Sequence, residues 1–243
     1  MRISVLYWLH MSFVLLVFEL ILLFFISRAV TGDLFQLVYR LTKSRRVAVS
    51  FVSLLLYPGT IIHELAHLFT AEILGVRTGK LTLVPEGITD EHEVKSGSVM
   101  IERTDPLRRA LIGLAPFTVG LVFCGVLAYF YSLPINWYSH FLNYPLSTVN
   151  YQLLRVAQMY FLFTVSATMF PSSVDMKGAW IVGIVMLFLG IAGFVAGVRI
   201  VFSGVIAETL STLLTSAVHT FFLVLIIQAV LWIVAKIFLS FMK

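Results

Sequence analysis

The sequence predicts an all-α polytopic membrane protein, with about six transmembrane helices and a small β-hairpin region between the second and third. Three observations predict it. Of 243 residues, 60% are hydrophobic and only 12% charged, against roughly 25% charged in a soluble domain. The mean hydropathy is +0.99. Apolar stretches of about 20 residues or more, the length that crosses a hydrocarbon core, recur along the chain. Cys124 is the single cysteine, which excludes an intramolecular disulfide and a cysteine-based metal site. The net charge of +5 is no nucleic-acid signal. Much of it falls in the juxtamembrane cluster Arg40, Lys43, Arg45 and Arg46, which suits anionic headgroups, so the expected partner is the lipid bilayer.

The elements follow in order. The first span runs from about Ile3 to Ser27. It is too long for the apolar region of a signal peptide and lacks a small-x-small cleavage pattern, so it reads as a retained helix. The basic segment 28–46 spaces Leu34, Phe35, Leu37, Val38 and Leu41 as a short amphipathic helix at the membrane interface. Val47 to Val76 is too long for one straight crossing. Pro58-Gly59 divides it, so a helix restarts near Pro58, and Gly75 is placed to end it. The polar region 77–109 carries two short strand patterns, Lys80–Val84 and Ser98–Glu102, around an acidic linker. The remaining spans are Leu107–Leu133, Gln152–Phe170 with a stop at Pro171, the glycine-rich Ala179–Phe202, and Leu210–Phe241. With no internal repeat, residues 1–243 read as a single domain.

Chemistry enters at His63-Glu64-Leu65-Ala66-His67. On a helix, residues four apart share a face, so both histidines can offer ring nitrogens to one Zn²⁺. Glu64 falls beside the metal, where it can act as general base toward a zinc-activated water. Ionisable side chains cost about 3 kcal/mol or more at the centre of a bilayer, which makes them candidates for function. A catalytic zinc takes three protein ligands and keeps one position open. Of the four aspartates, Asp33, Asp90 and Asp105 sit in polar segments, while Asp175 alone lies between two apolar spans, after the break at Pro171. Irregular backbone at that depth is tolerated where it lines a cavity or is buried in protein. Asp175 is the expected third ligand; the alternative is a carboxylate paired with Lys177 or Arg155.

The HExxH helix, the following hairpin, a small-residue span and a late aspartate together resemble the site-2 protease family of intramembrane zinc metalloproteases. The resemblance covers most of the chain. It implies that His63, His67 and Asp175 bind zinc and that Glu64 is catalytic. It also places Gly113-Leu-Ala-Pro116 beside the active helix, where the family carries a Gly-Pro-type motif. The family's aspartate is followed directly by glycine; here Met176 and Lys177 intervene before Gly178, and Thr164, Ser166 and Thr168 stand where an asparagine is usual. The resemblance is thus to a divergent member. It implies hydrolysis of peptide bonds in transmembrane or membrane-anchored protein substrates, by a multi-pass protein of a prokaryotic cell membrane. The hairpin would offer an edge for strand addition.

The competing expectation is a non-proteolytic metal-binding membrane protein, either a transporter or an inactive relative that binds transmembrane partners. An intact Glu64 and the absence of repeated halves favour the enzyme. His219 is expected as a packing residue rather than an alternative ligand. Glu19, in the first span, is open between snorkelling, pairing with a histidine and lining a substrate path. Orientation is open too, because the basic segment 28–46 and the family resemblance point opposite ways.

Overall fold

Nothing in the sequence from Arg2 to Thr42 forces a helix to stop, and in the computed structural model this stretch is one helix, α1. The structure describes residues 2–82, 98–102, 104–132, 148–172, 174–176, 179–197 and 204–242. At 1.5 Å per residue the 41 residues of α1 extend about 60 Å, twice a hydrocarbon core. The separate interfacial helix expected over 28–46 is therefore a correction. Gly32 alone does not break α1, and Val30 and Asp33 are buried on its inner face. Lys43 ends it in the left-handed region at φ 53°, its N–H donating to the Tyr39 carbonyl at 2.7 Å.

Ser44 then caps α2 (Arg45–Ile73), its hydroxyl accepting from Val47 N–H at 3.4 Å. The restart expected at Pro58 is a second correction, since α2 runs through it without interruption. A proline inside a helix costs one backbone hydrogen bond, and neighbouring groups tend the same turn. The Tyr160 hydroxyl donates to the Leu55 carbonyl at 2.9 Å, and Thr60 Oγ1 donates to the Leu56 carbonyl at 3.2 Å. The C-terminus closes on Gly75 at φ 68°. Val76 N–H reaches the Ala71 carbonyl at 2.8 Å and Gly75 N–H the Glu72 carbonyl at 3.0 Å, a pattern that left-handed glycine permits.

Two short strands follow, β1 (Thr78–Thr82) and β2 (Ser98–Ile101), paired antiparallel with Thr78 opposite Ile101 and Thr82 opposite Ser98. Their connection, 83–97, lies outside the described residues. Pro106 opens α3 (Pro106–Ser132) at the position where a missing N–H costs nothing. The later helices are α4 (Thr148–Thr168), α5 (Ala179–Val195) and α6 (Gly204–Phe241).

Four of these helices, α1, α2, α3 and α6, are long and apolar enough to cross a membrane; α5 is apolar but shorter. The chain is thus a helical, multi-pass membrane protein by length and composition.

Two parallel pairings organise the bundle. Ser27, Asp33 and Arg40 of α1 meet Gln228, Lys236 and Leu239 of α6 in the same order. Likewise Leu55 and His63 of α2 meet Tyr160 and Thr168 of α4. Between them lies a core of Leu16, Leu23, Cys124, Leu162, Val165, Met169, Phe221 and Val224. Gly59 lets α2 and α4 touch, because a Cβ there would strike the Thr164 carbonyl.

Candidate metal centre

The 3.6-residue period of α2 puts His63 and His67 one above the other, and their Nε2 atoms lie 3.2 Å apart. Each ring is held from behind. His63 Nδ1 bonds the Thr168 carbonyl at 2.7 Å, at the end of α4, and His67 Nδ1 bonds the Ile112 carbonyl at 2.8 Å, in α3. A carbonyl only accepts, so each Nδ1 donates, and in the neutral ring that leaves Nε2 with a free lone pair. This is how ligating histidines are oriented by outer partners.

Asp175 approaches from the other side. Pro171 follows the last turn of α4, and the chain then folds into a tight turn. Ser172 N–H donates to Asp175 Oδ2 at 2.7 Å, while Asp175 N–H donates back to Ser172 Oγ at 3.3 Å. Met176 N–H closes the turn on the Ser172 carbonyl at 3.1 Å. The carboxylate so fixed has Oδ1 at 3.4 Å from His67 Nε2 and Oδ2 at 3.8 Å from His63 Nε2. Gly113 makes room for this turn, since a Cβ on it would collide with the Asp175 carbonyl.

Three donor atoms, one from each residue, lie within 4.8 Å of one another. Ligands 2.0–2.1 Å from a tetrahedral zinc stand about 3.3 Å apart. The nearest pairs here are 3.2, 3.4 and 3.8 Å, the last two through different oxygens of Asp175. With one atom per residue the group lies within 4.8 Å, close enough to surround one cation. Two imidazole lone pairs facing each other and a carboxylate repel unless a cation or a shared proton lies among them. The donor set, two nitrogens and an oxygen, suits a divalent transition-metal ion.

Glu64, the next residue of α2, is 6% exposed and close enough to interact electrostatically with both His63 and Asp175. Arg155 is not the partner of Asp175. It lies toward the other end of α4, its guanidinium over the rings of Tyr131 and Tyr151. Lys177 lies outside the described residues. His219 is exposed on α6 rather than packed, and stands apart from the cluster. Glu19 is buried in α1, with Oε2 lacking a hydrogen-bond partner among the described residues.

Sequence reasoning missed the groups that aim the ligands. The carbonyls of Ile112 and Thr168 carry no side-chain signal, and the fit of Gly113 to Asp175 shows only in three dimensions. The Ser172/Asp175 spacing was the one readable sign. Comparison with protein-family models, curated proteins and solved structures finds no match to this chain.

Proposed function

We propose that this protein is an intramembrane zinc metalloprotease, a divergent relative of the site-2 proteases, that hydrolyses peptide bonds of membrane-embedded or membrane-proximal segments. One observation carries the reading: two histidines with Nε2 lone pairs turned inward, a carboxylate completing the triangle, and a buried glutamate beside them. His63, His67 and Asp175 would hold Zn²⁺. When bound, zinc supplies a Lewis acid that acidifies water and polarises a carbonyl.

The chain's own residues do the rest. Glu64 takes a proton from the attacking water as its oxygen adds to the peptide carbon. As the C–N bond breaks, Glu64 returns that proton to the departing amine, so one water is consumed and the base is restored. Thr168 and Ile112 hold the imidazoles still while this happens. A peptide bond in a membrane helix is covered by its own hydrogen bonds, so the substrate segment must unwind before it reaches Glu64.

The test is Glu64→Gln, assayed on a transmembrane peptide in proteoliposomes. Loss of cleavage with zinc still bound supports the protease; undiminished cleavage removes Glu64 from the reaction. A wild-type protein that binds zinc but cleaves no membrane-anchored peptide favours the non-proteolytic alternative.

A further inference from the structure

Away from the metal centre, one fully buried polar group joins three helices. Gln228, in the apolar run of α6, has no solvent exposure. Its Oε1 accepts from Ser27 Oγ of α1 at 2.9 Å, and its Nε2 donates to Ser166 Oγ of α4 at 3.3 Å. Ser27 is 2% exposed and Ser166 not at all. Ser166 lies two residues before Thr168, whose carbonyl fixes the His63 ring. On a helix, positions two apart point about 200° from each other. Gln228 therefore grips the back of α4 while His63 leans on its front.

Such a layer is a device for register rather than for stability. Burying an amide and two hydroxyls in an apolar core gives little net stabilisation over well-packed apolar groups. What the amide adds is direction, because its donor and acceptor can be met together only when α1, α4 and α6 stand at one rotation and height. Among the other contacts of α4, Gly59 gives close approach without direction, and the Tyr160 bond to the Leu55 carbonyl ties α4 to α2 alone, six residues before Ser166.

We infer that Gln228 is a positioning residue of the metal centre, setting the rotation of α4 so that Thr168 and the turn bearing Asp175 face His63. This rests on the zinc reading above. Both serines have a fallback in its absence. Ser166 Oγ already reaches the Phe163 carbonyl at 3.0 Å, and a helical serine can turn to a carbonyl of its own preceding turn. An apolar side chain at 228 should thus leave the bundle folded but the end of α4 that carries Thr168 less firmly fixed in rotation.

The experiment measures zinc affinity by chelator competition, alongside thermal unfolding of the apo protein, for the full chain in detergent. Gln228→Leu is expected to unfold at the wild-type temperature or above yet to bind zinc at least tenfold more weakly, within the range for loss of an outer partner. Gln228→Glu, neutral in that layer and keeping one donor and one acceptor, is expected to restore the affinity. Ser166→Ala serves if the leucine variant does not fold, with a several-fold loss expected. Wild-type affinity in a folded Gln228→Leu, or in Ser166→Ala, overturns the inference. A wild-type protein that binds no zinc overturns the metal reading instead, so the two failures are distinct.

Discussion

His63 and His67 bring their Nε2 atoms to 3.2 Å while each Nδ1 is tied to a carbonyl of a different helix. α2 supplies both imidazoles, but α3 and α4 aim them. The centre therefore depends on how three helices pack as well as on the HExxH sequence.

A glycine that touches no side chain of the proposed metal ligands should thus control the site. Gly113→Val places branched carbon against the Asp175 carbonyl, and overpacking of this kind costs about 1–3 kcal/mol. The expected outcome is a protein that folds with a lowered melting temperature and has lost most of its zinc affinity. Calorimetric zinc titration checks it; wild-type affinity would show that the turn at Asp175 can shift without consequence.

Glu64→Gln isolates the proposed base. Positioned proton transfer contributes roughly 10²–10⁴ in rate, so cleavage should fall at least a hundredfold. His63 and His67 are untouched, and zinc content should stay at the wild-type ratio. Cleavage kinetics and metal analysis of the same preparation check both halves.

At the far end of the α1/α6 pair, Asp33 is 6% exposed and its carboxylate lies 3.0 Å from the Lys236 ammonium. Lys236→Met leaves the buried Asp33 without its cation, a loss of about 1 kcal/mol because the ammonium is more than half exposed. Adding Asp33→Asn removes the stranded charge, and stability should return most of the way. Denaturant unfolding in detergent of the single and double variants measures the difference.

Acid should loosen the start of α3. Arg108 N–H donates to Asp105 Oδ1 at 2.9 Å, and the Arg108 guanidinium lies 3.2 Å from Oδ2. The hydrogen bond first, and the guanidinium after it, hold the Asp105 carboxyl below its ordinary 3.8. A folded-state value below the unfolded one adds stability that is present above the unfolded value and disappears as pH falls through the folded one. Hydrogen-exchange protection factors at the first turn of α3, taken against the intrinsic rate at each pH, should therefore fall below about pH 4 in the wild type. Asp105→Asn should show no such step.

The residues that meet in the candidate site were more legible in the sequence than the bundle. His63, Glu64 and His67 stand in one motif, and Asp175 is the one aspartate between apolar spans, so composition narrowed the choice. Helix boundaries were less readable, for physical reasons. The charges of α1 suggested an interfacial segment, yet Asp33 and Arg40 are satisfied by Lys236 and Leu239 of α6, a partner about 200 residues away. Pro58 suggested a helix start because the packing of α4 on that turn, where Tyr160 bonds the Leu55 carbonyl, cannot be seen in one dimension. Ser27, Ser166 and Gln228 passed unnoticed because isolated polar residues in apolar runs acquire meaning only when their helices meet.

The central claim, one cation held jointly by α2 and the turn after α4, is tested most directly by zinc K-edge X-ray absorption on purified wild type and Asp175→Ala. Stoichiometric zinc with two imidazoles and an oxygen-rich remainder in the wild type, and loss or reordering of that shell in the variant, is the predicted result. An absence of bound zinc, or identical spectra from the two proteins, would contradict it.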